Sequence, residues 1–353
     1  MPPSSTPAAP QPELPPQRLR VLLNAGAGSA SAARGEPLSD VLASAFSAHG
    51  IAADIRAVTP ESIALEAGNA CREALAGRLD AVIAAGGDGT IGAIAGALAD
   101  TGVPMGIIPL GTFNNFAKDV GLPRELGEAV EVIARGHVTA VDAAEVNGRV
   151  FVNNSSIGVY PFLVIDRERR RRRGLWKWVA MLFAAARAAR YLPMRRLHIK
   201  AGNTVEDHRS PCLFVGNNQY NLTGFDLGRR HDLTSGTLSL HIARPRSAVS
   251  LAWLALRCML GLFEAERDLR TLIVKELVIS SRKRRLLVAF DGEVERINTP
   301  LRYRTRPAAL NVFCPARTDA EPAPAGEETT VSTGDTERFL LSPRTISRIL
   351  RSR

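Results

Sequence analysis

The pattern of apolar positions changes from a continuous run to a helical period midway through the N-terminal half of the chain. Ala81–Ala85 is wholly apolar, which is typical of a strand buried on both faces of a parallel sheet. Further on, Ile91, Ile94 and Leu98 recur with the spacing of one helix face. Between these segments, Gly86–Gly89 reads GGDG, and such glycines admit positive φ angles and close backbone approach. The pattern predicts a strand, a tight turn and a helix.

The same alternation recurs on both sides of this segment. Short apolar runs are followed by amphipathic stretches with helical spacing, which is the signature of βα units and a parallel sheet. We predict an α/β domain over residues 18–138, with helices on both faces of its sheet. Its other predicted strands are Leu19–Leu23, Ala52–Val58 and Met105–Ile108, and its other predicted helices are Leu38–His49 and Glu61–Ala76.

From Thr139 onward the pattern changes to short β-rich segments separated by turns such as Asn147–Gly148. Such a series after a run of βα units indicates a second, mainly antiparallel domain, which we place at residues 139–316. The predicted strands are Val138–Asn147, Arg149–Ser156, Arg196–Ala201, Pro211–Gly216, Leu238–His241, Val274–Ser280, Leu286–Phe290 and Ala309–Phe313.

Both ends of the chain differ in composition from these domains. Met1–Gln17 carries seven prolines and is predicted to be a disordered leader. Residues 317–353 combine an acidic linker with a basic helix candidate, Phe339–Arg353, that has Ser342 and Pro343 at its start. The pattern does not decide whether this helix packs on the first domain, anchors to a membrane or stays disordered.

Composition narrows the class of protein. The 353 residues are 45% apolar and 23% charged, as in soluble globular proteins. The net charge of +10 favours anionic partners of any kind. No secretory signal or membrane-spanning run is recognised, so a cytoplasmic location is expected. The four cysteines are isolated, which favours neither a zinc site nor a disulfide framework: Cys71, Cys212, Cys258 and Cys314.

The glycine turn has the features of a phosphate cradle. A strand, a glycine turn and a helix N-terminus direct several backbone N–H groups and a positive dipole end at one point. Asp88 lies at its centre, and a carboxylate beside phosphates needs a metal ion or a proton. Pro109 and Gly111 predict a second turn at the carboxyl end of a neighbouring strand, so the two turns should face each other. An ordinary tight βα turn is the alternative interpretation.

Three ordered motifs resemble the diacylglycerol kinase and sphingosine kinase superfamily. The nucleotide loop of that superfamily is GGDGT, which matches Gly86–Thr90, although related loops occur in NAD kinases and phosphofructokinases. The third motif, Asp-Gly-Glu, matches Asp291–Glu293, which would otherwise be only a hairpin turn. In the second motif Asn115 replaces the usual Asp. The second motif is otherwise matched by Pro109, Gly111, Thr112, Asn114, Phe116 and Ala117.

The resemblance implies an NAD kinase-like α/β domain followed by a β-sandwich domain, with the active-site cleft between them. It implies ATP as phosphoryl donor with Mg²⁺, and Asp88 near that metal. Asp291 is the implied general base for a lipid hydroxyl, and Glu293 would lie near the nucleotide or metal. The implied nucleotide-binding residues are Asn24, Thr59, Gly86, Gly87, Asp88, Gly89, Thr90, Gly111, Thr112 and Asn114.

One family feature is missing. Related bacterial lipid kinases hold a structural metal with an Asp-Asp-Gly turn, and the matching stretch here is Leu233–Gly236, which reads LTSG. Because both acids are absent, this metal is not expected.

A basic run beside an apolar, Trp-containing segment suggests a membrane contact. Arg167–Arg173 has six arginines and one glutamate, and it precedes a helix candidate with Trp176 and Trp178. This combination suits an anionic membrane surface, and a core helix with a solvated basic start is the equal alternative. Leu251–Phe263 could be core or part of an acyl-chain slot. A nucleic-acid partner is not expected, because no such binding fold accompanies the arginines.

Taken together, the motifs predict an ATP-dependent lipid kinase acting at the membrane surface, with a lipid such as a diacylglycerol or sphingoid base as substrate. We therefore expect a cytoplasmic protein that associates peripherally with the membrane. Two alternatives remain: an NAD kinase-like small-molecule kinase, and a catalytically weak lipid-binding protein of the same fold. The resemblance leaves open whether the chain forms a homodimer.

Overall fold

The computed structural model describes residues 15–26, 36–158, 195–202, 204–221, 229–230, 232–244, 250 and 269–316. The predictions for most of the proline-rich leader, for the Arg167–Arg173 run, for the two apolar helix candidates after residues 173 and 250, and for residues 317–353 lie outside these residues. No helix in the described part is long and apolar enough to span a membrane.

The N-terminal part is a parallel sheet covered by helices on both faces. In β3 every residue is buried, and alternate side chains enter different cores: Val82 packs with residues of α2 and α3, and Ile83 with residues of α1 and α5. Burial on both sides explains why this strand is a continuous apolar run. The elements are β1 Arg18–Asn24, α1 Leu38–Ala48, β2 Ala52–Val58, α2 Ile63–Leu75, β3 Ala81–Gly86, α3 Asp88–Leu98, β4 Pro104–Pro109, α4 Asn115–Asp119 and α5 Leu126–Arg135.

The remaining strands form antiparallel ladders that enclose a second core. This core contains Leu197 and Tyr303 from one sheet and Val215 and Val288 from another. The strands are β5 Val138–Val146, β6 Arg149–Phe151, β7 Asn154–Gly158, β8 Arg195–Ala201, β9 Thr204–Ser210, β10 Cys212–Asn217, β11 Leu238–Ala243, β12 Leu269–Val274, β13 Glu276–Ser281, β14 Arg285–Phe290, β15 Glu293–Asn298 and β16 Leu301–Phe313.

These strands belong to two sheets in the described part of the chain. The larger has the order β2-β1-β3-β4-β16-β13-β8-β9, with β5 pairing with β16 and β6, and the smaller has the order β12-β11-β10-β7-β14-β15. The predicted fold class is confirmed, since an α/β parallel sheet is followed by antiparallel sheets packed face to face.

The last strand rejoins the first sheet. β16 is parallel to β4, with Val312 opposite Met105, and antiparallel to β5 and β13. Only its end, Ala309–Phe313, is predicted from sequence, although the alternation of apolar residues with arginines in its first half is itself a strand pattern. The boundary at residue 138 stays a prediction, and sheet hydrogen bonding continues across it.

Two further differences from the sequence-based elements have physical reasons. The single predicted strand Arg149–Ser156 is two strands, β6 and β7, in different sheets, because the chain crosses between the sheets at Val152 and Asn153. The strands β9 and β15 were not predicted, since they carry several charges and lack an apolar run. In β12 only Leu272–Val274 is a continuous apolar run, and the predicted strand begins at its last residue.

We expect Leu310→Ala to destabilise the folded protein by about 2–5 kcal/mol, because Leu310 of β16 is 1% exposed in the core beneath α2 and α3. Urea unfolding measures the change. Leu65→Ala on α2 is the matched control, and its loss should stay within about 0.5 kcal/mol, since Leu65 is 65% exposed. Equal losses for both variants would contradict the incorporation of β16 into this core.

Candidate active site

The GGDGT turn connects β3 to α3 and leaves no room for a side chain at its first glycine. A Cβ atom on Gly86 would lie 2.5 Å from Oγ1 of Thr90. Gly87 is the N-cap of α3, and no side chain caps it. The N–H groups in the first turn of a helix lack intrahelical acceptors. The turn therefore presents backbone donors and a positive dipole end to an anion.

The turn after β4 lies against the GGDGT turn, as the parallel strands predict. A Cβ atom on Gly111 would lie 2.6 Å from Cα of Gly87, and Leu110 N–H donates to Gly86 O at 3.0 Å. Asn114 fixes the second turn: its Nδ2 donates to Gly111 O at 2.8 Å, and its Oδ1 accepts from Gly111 N at 2.9 Å. Only glycine on both sides allows the two backbones to approach this closely.

Asn24 ties the end of β1 to the glycine turn. Its Nδ2 donates to Oγ1 of Thr90 at 2.9 Å, and its Oδ1 accepts from Gly26 N at 2.9 Å. The carboxyl ends of β1, β3 and β4 therefore meet at one place. We call the backbone of Gly86–Thr90 and Gly111, together with Asn24, the glycine cradle.

Two predicted nucleotide residues are not tied to the cradle by the described contacts. Thr59 follows β2, next to the β1 end, and its N–H donates to Ser62 Oγ at 3.0 Å. Thr112 is exposed in the turn before α4. Asn115, which replaces the usual Asp, is also exposed at the start of α4. The nucleotide roles of both threonines stay predictions.

Asp88 connects the cradle to two other elements. Its Oδ1 accepts from Phe116 N–H in α4 and from Nδ2 of Asn153, both at 3.3 Å. Its Oδ2 has no hydrogen bond to a described residue. That oxygen fits one position in the shell of a hard cation whose remaining ligands are phosphate oxygens and water, which is how Mg²⁺ usually binds at phosphates. No group of three or more metal-binding side chains occurs among the described residues.

Asp291 lies in a two-residue hairpin turn between β14 and β15. Asp291 and Gly292 have φ angles of 48° and 90°, the conformation that favours Asp-Gly in tight hairpins. The carboxylate, 7% exposed, accepts N–H groups from the crossing between β6 and β7. The distances to Val152, Asn153 and Asn154 are 2.7, 2.8 and 3.2 Å.

Burial controls the ionisation of this carboxyl. It raises the pKa of Asp291 to about 6, against the opposing effect of the three backbone donors and of Arg230. A Cβ atom on Gly92 would lie 2.8 Å from Asp291 Oδ2, so the carboxylate packs directly on α3. An acid with this pKa is deprotonated at neutral pH and can accept a proton.

Glu293 also faces the start of α3. A Cβ atom on Gly89 would lie 3.5 Å from Glu293 Oε1. Burial, and after it the nearby Glu295, raises the pKa of Glu293, while Arg149 lowers it. The structure therefore brings the predicted residues Asp88, Asp291 and Glu293 to one helix, on the side where α3 begins.

A buried arginine that the sequence analysis missed holds the backbone beside these acids. Arg230 Nε bonds Asp119 Oδ2 at 2.8 Å, and the two side chains are 0% and 4% exposed. Its Nη1 donates to Val152 O at 2.6 Å, and its Nη2 donates to Asn153 Oδ1 at 2.9 Å. The guanidinium also lies 5.4 Å from the ring centroid of Tyr220. Arg230 thus holds the same β6–β7 crossing that Asp291 holds.

Asn153 is the second missed residue. Its side chain reaches Asp88 on one side and Arg230 on the other, while its backbone N–H binds Asp291. Tyr220, whose pKa is raised to about 12 by burial, donates its hydroxyl to Asn153 O at 2.9 Å. The only sequence signal is the Asn153–Asn154 pair inside the predicted strand Arg149–Ser156, and it does not indicate the partners of Asn153.

The turn at residues 233–236, where no Asp-Asp-Gly sequence occurs, is held by Asp142 of β5. Asp142 Oδ2 accepts from Gly236 N–H at 2.7 Å and from Asn218 Nδ2 at 2.8 Å, and its Oδ1 accepts from Ala308 N–H at 2.9 Å. One carboxylate therefore satisfies backbone donors of this turn and of β16.

Comparison with known proteins finds a family model and several relatives. A family model for the diacylglycerol kinase catalytic domain matches residues 18–146. The N-terminal part of the chain, a little over a third of its length, is therefore similar to the diacylglycerol kinase catalytic domain. A diacylglycerol kinase of Bacillus subtilis is 38% identical over 104 residues, 29% of this chain and 34% of that protein. An uncharacterized Synechocystis protein is 28% identical over 246 residues, 66% of this chain and 54% of that protein.

Solved structures support the fold across most of the chain. A diacylglycerol kinase from Bacillus anthracis has a TM-score of 0.60 and 20% identity, covering 85% of this chain and 97% of that one. Yeast NADH kinase, solved with NADH, has a TM-score of 0.51 and 13% identity, covering 87% of this chain and 85% of that one. The alignments span about half of the Synechocystis relative and a third of the Bacillus subtilis enzyme.

We expect Arg230→Ala to destabilise the protein by about 3–5 kcal/mol, because it leaves Asp119 charged and buried without its partner. Asp119→Ala should have a similar effect. The double variant should lose less than the sum of the two, because neither charge is then left alone. Urea unfolding of the unmodified protein, the two single variants and the double variant measures the coupling energy between Arg230 and Asp119.

The exposed Glu131–Arg135 pair of α5, whose side chains are 49% and 72% exposed, provides the comparison cycle. Its coupling should be about 0.3–0.5 kcal/mol. Strictly additive losses in the Arg230 and Asp119 cycle would contradict the described ion pair.

Proposed function

We propose that this protein transfers the γ-phosphoryl group of ATP to the hydroxyl of a lipid at a membrane surface. The observation that carries the proposal is the meeting of a phosphate cradle and a buried carboxylate on one helix. α3 begins in the glycine cradle, and Asp291 packs on it one turn later, at Gly92. Phosphoryl transfer to an alcohol needs a site for the donor's phosphates and an acceptor for the hydroxyl proton.

The cradle residues would bind the phosphates through the backbone. The N–H groups at the start of α3 and the close approach of Gly87 and Gly111 make a surface lined largely by backbone atoms. Such donors are already oriented before the ligand arrives, so they stabilise negative charge with little reorganisation. Asn24 keeps the β1 end beside the cradle through Thr90.

Asp88 would hold Mg²⁺ through its Oδ2. A bound Mg²⁺ neutralises phosphate charge during transfer and orients the phosphate groups. Asp88 is prepared for this role because Phe116 N–H and Asn153 already fix its other oxygen. Glu293, facing Gly89, would lie beside the same phosphates.

Asp291 would accept the proton of the lipid hydroxyl. Three backbone N–H groups and Gly92 hold its carboxylate in place. With a pKa of about 6 it is largely ionised at neutral pH. Membrane association would bring the acyl chains to the protein while the polar end of the lipid enters the site.

The direct test is the phosphorylation of a mixed lipid panel in anionic vesicles with ATP labelled at the γ-phosphate. We expect a labelled diacylglycerol or sphingoid base, and no labelled lipid with Asp291→Asn. Label on a soluble acceptor such as NAD would favour the NAD kinase-like alternative. ATP binding without any labelled product would favour a lipid-binding protein with the same fold.

We expect the kcat/KM of lipid phosphorylation to fall about tenfold per pH unit below pH 6, because protonated Asp291 cannot accept the hydroxyl proton. Above pH 6 the carboxylate is ionised, and kcat/KM should reach a plateau. Asp291→Asn should abolish turnover while ATP binding is retained. A rate that stays flat from pH 7 to pH 5 would contradict the base role.

Asp291→Asn also affects stability, so it needs a matched control. An amide would turn its NH₂ group toward Val152 N–H, and an unpaired buried donor costs about 1–3 kcal/mol. Asp142→Asn changes a carboxylate that is 2% exposed and likewise accepts backbone N–H groups, outside the cradle. It should lose comparable stability and keep its activity per folded molecule. Equal loss of activity in both variants would assign Asp291 a purely structural role.

A further inference from the structure

A basic groove lies on the outer face of the larger sheet, in a part of the fold that supplies no residue to the glycine cradle. It is formed by β8, β9 and β13 and has a volume of about 540 Å³. Its apolar neighbours Leu197 and Ile199 point to the other face, into the second core. Its lining includes Arg196, His198, Asp207, Arg209, Ser280 and Arg282.

Two arginines of this groove stand directly opposite each other. The ladder between β8 and β9 pairs Arg196 with Arg209. Like charges opposite each other on neighbouring strands are destabilising. Both side chains are exposed, and neither has a hydrogen bond or ion pair with a described residue. Arg282, which directly follows β13, adds a third exposed guanidinium without such a partner.

The acids nearby do not neutralise these arginines. Asp207 is bonded to His198, with 2.8 Å between Oδ1 and Nδ1. Glu206 is occupied by His208, at 2.7 Å, and by Arg270. Each of these two carboxylates therefore already has another partner, and neither is bonded to Arg196, Arg209 or Arg282 among the described residues.

The groove also carries a hydroxyl donor. Ser280 stands opposite His198 in the ladder between β13 and β8. A phosphate group combines negative charge with several oxygens that accept hydrogen bonds. Guanidinium groups match that geometry with paired N–H donors, and a hydroxyl group can donate a further hydrogen bond to a phosphate oxygen.

We propose that this groove is a second anion site, which binds a phosphate group through Arg196, Arg209 and Arg282. The phosphate belongs to a soluble phosphorylated molecule or to the headgroup of an anionic lipid. Binding removes the repulsion between Arg196 and Arg209, so an occupied groove stabilises the pairing of the edge strand β9. The proposal does not depend on the kinase activity, because no cradle residue takes part.

The test compares the double variant R196Q/R209Q with the matched control R78Q/R124Q. Both variants remove two positive charges, and Arg78 and Arg124 are exposed residues of the N-terminal part. The probe is inorganic phosphate at constant ionic strength, and the readout is the Tm of the full chain. Phosphate bound in the glycine cradle contributes equally to both proteins, so the difference between them reports the groove.

Without phosphate, R196Q/R209Q should be at least as stable as the unmodified protein, since the opposed charges are gone. With saturating phosphate, the control and the unmodified protein should gain about 2–4 °C more than R196Q/R209Q, through stabilisation by binding. Equal gains in the variant and the control would overturn the proposal, whatever the result of the lipid phosphorylation assay.

Vesicles identify the source of the phosphate. Co-sedimentation uses vesicles of phosphatidylglycerol and, separately, of phosphatidylcholine. If R196Q/R209Q binds phosphatidylglycerol vesicles several-fold more weakly than R78Q/R124Q, the phosphate is that of a lipid headgroup. If both bind these vesicles equally while the phosphate response differs, the ligand is a soluble phosphorylated molecule.

Discussion

The crossing of the chain between the two sheets depends on one buried carboxylate. Between β6 and β7 the backbone leaves one sheet and enters the other, and its N–H groups there have no strand partner. Unpaired N–H groups would be costly in this buried place, and a buried carboxylate would be costly without donors. Asp291 resolves both problems, because it accepts from Val152, Asn153 and Asn154. The hairpin that carries Asp291 is thereby fixed beside α3.

Arg230 balances the charge that this arrangement buries. Its positive charge lowers the pKa of Asp291, and it pairs directly with Asp119 at the end of α4. Its remaining donors reach the carbonyls of Val152 and Asn217. One guanidinium therefore joins the helix after the second cradle turn to the crossing that holds Asp291. A displacement of α4 or of the β6–β7 crossing would also displace Asp88, since Asn153 bonds both Arg230 and Asp88.

Local patterns predict the parts of this site that short sequence segments determine. The apolar run of β3 and the glycines after it specify a strand and a turn within nine residues, and Asp291–Gly292 specifies a hairpin. The partners of these segments are set by distant contacts. Arg230 and Asp119 are 111 residues apart in sequence, and β16 pairs with β4 across the whole second part of the chain. No periodicity encodes such pairings, so Arg230, Asn153 and the return of β16 emerge only from the structure.

The cradle and the basic groove would bind anions by different physical means. The cradle uses backbone N–H groups and a helix dipole in a partly buried turn, where salt screens little. The groove uses exposed guanidinium groups, and at about 0.15 M salt exposed charges are screened beyond about 8 Å. Binding in the groove should therefore weaken more steeply with ionic strength than binding in the cradle. This difference follows from burial alone, because the proposed cradle ligand would lie in a partly buried turn and the proposed groove ligand among exposed charges.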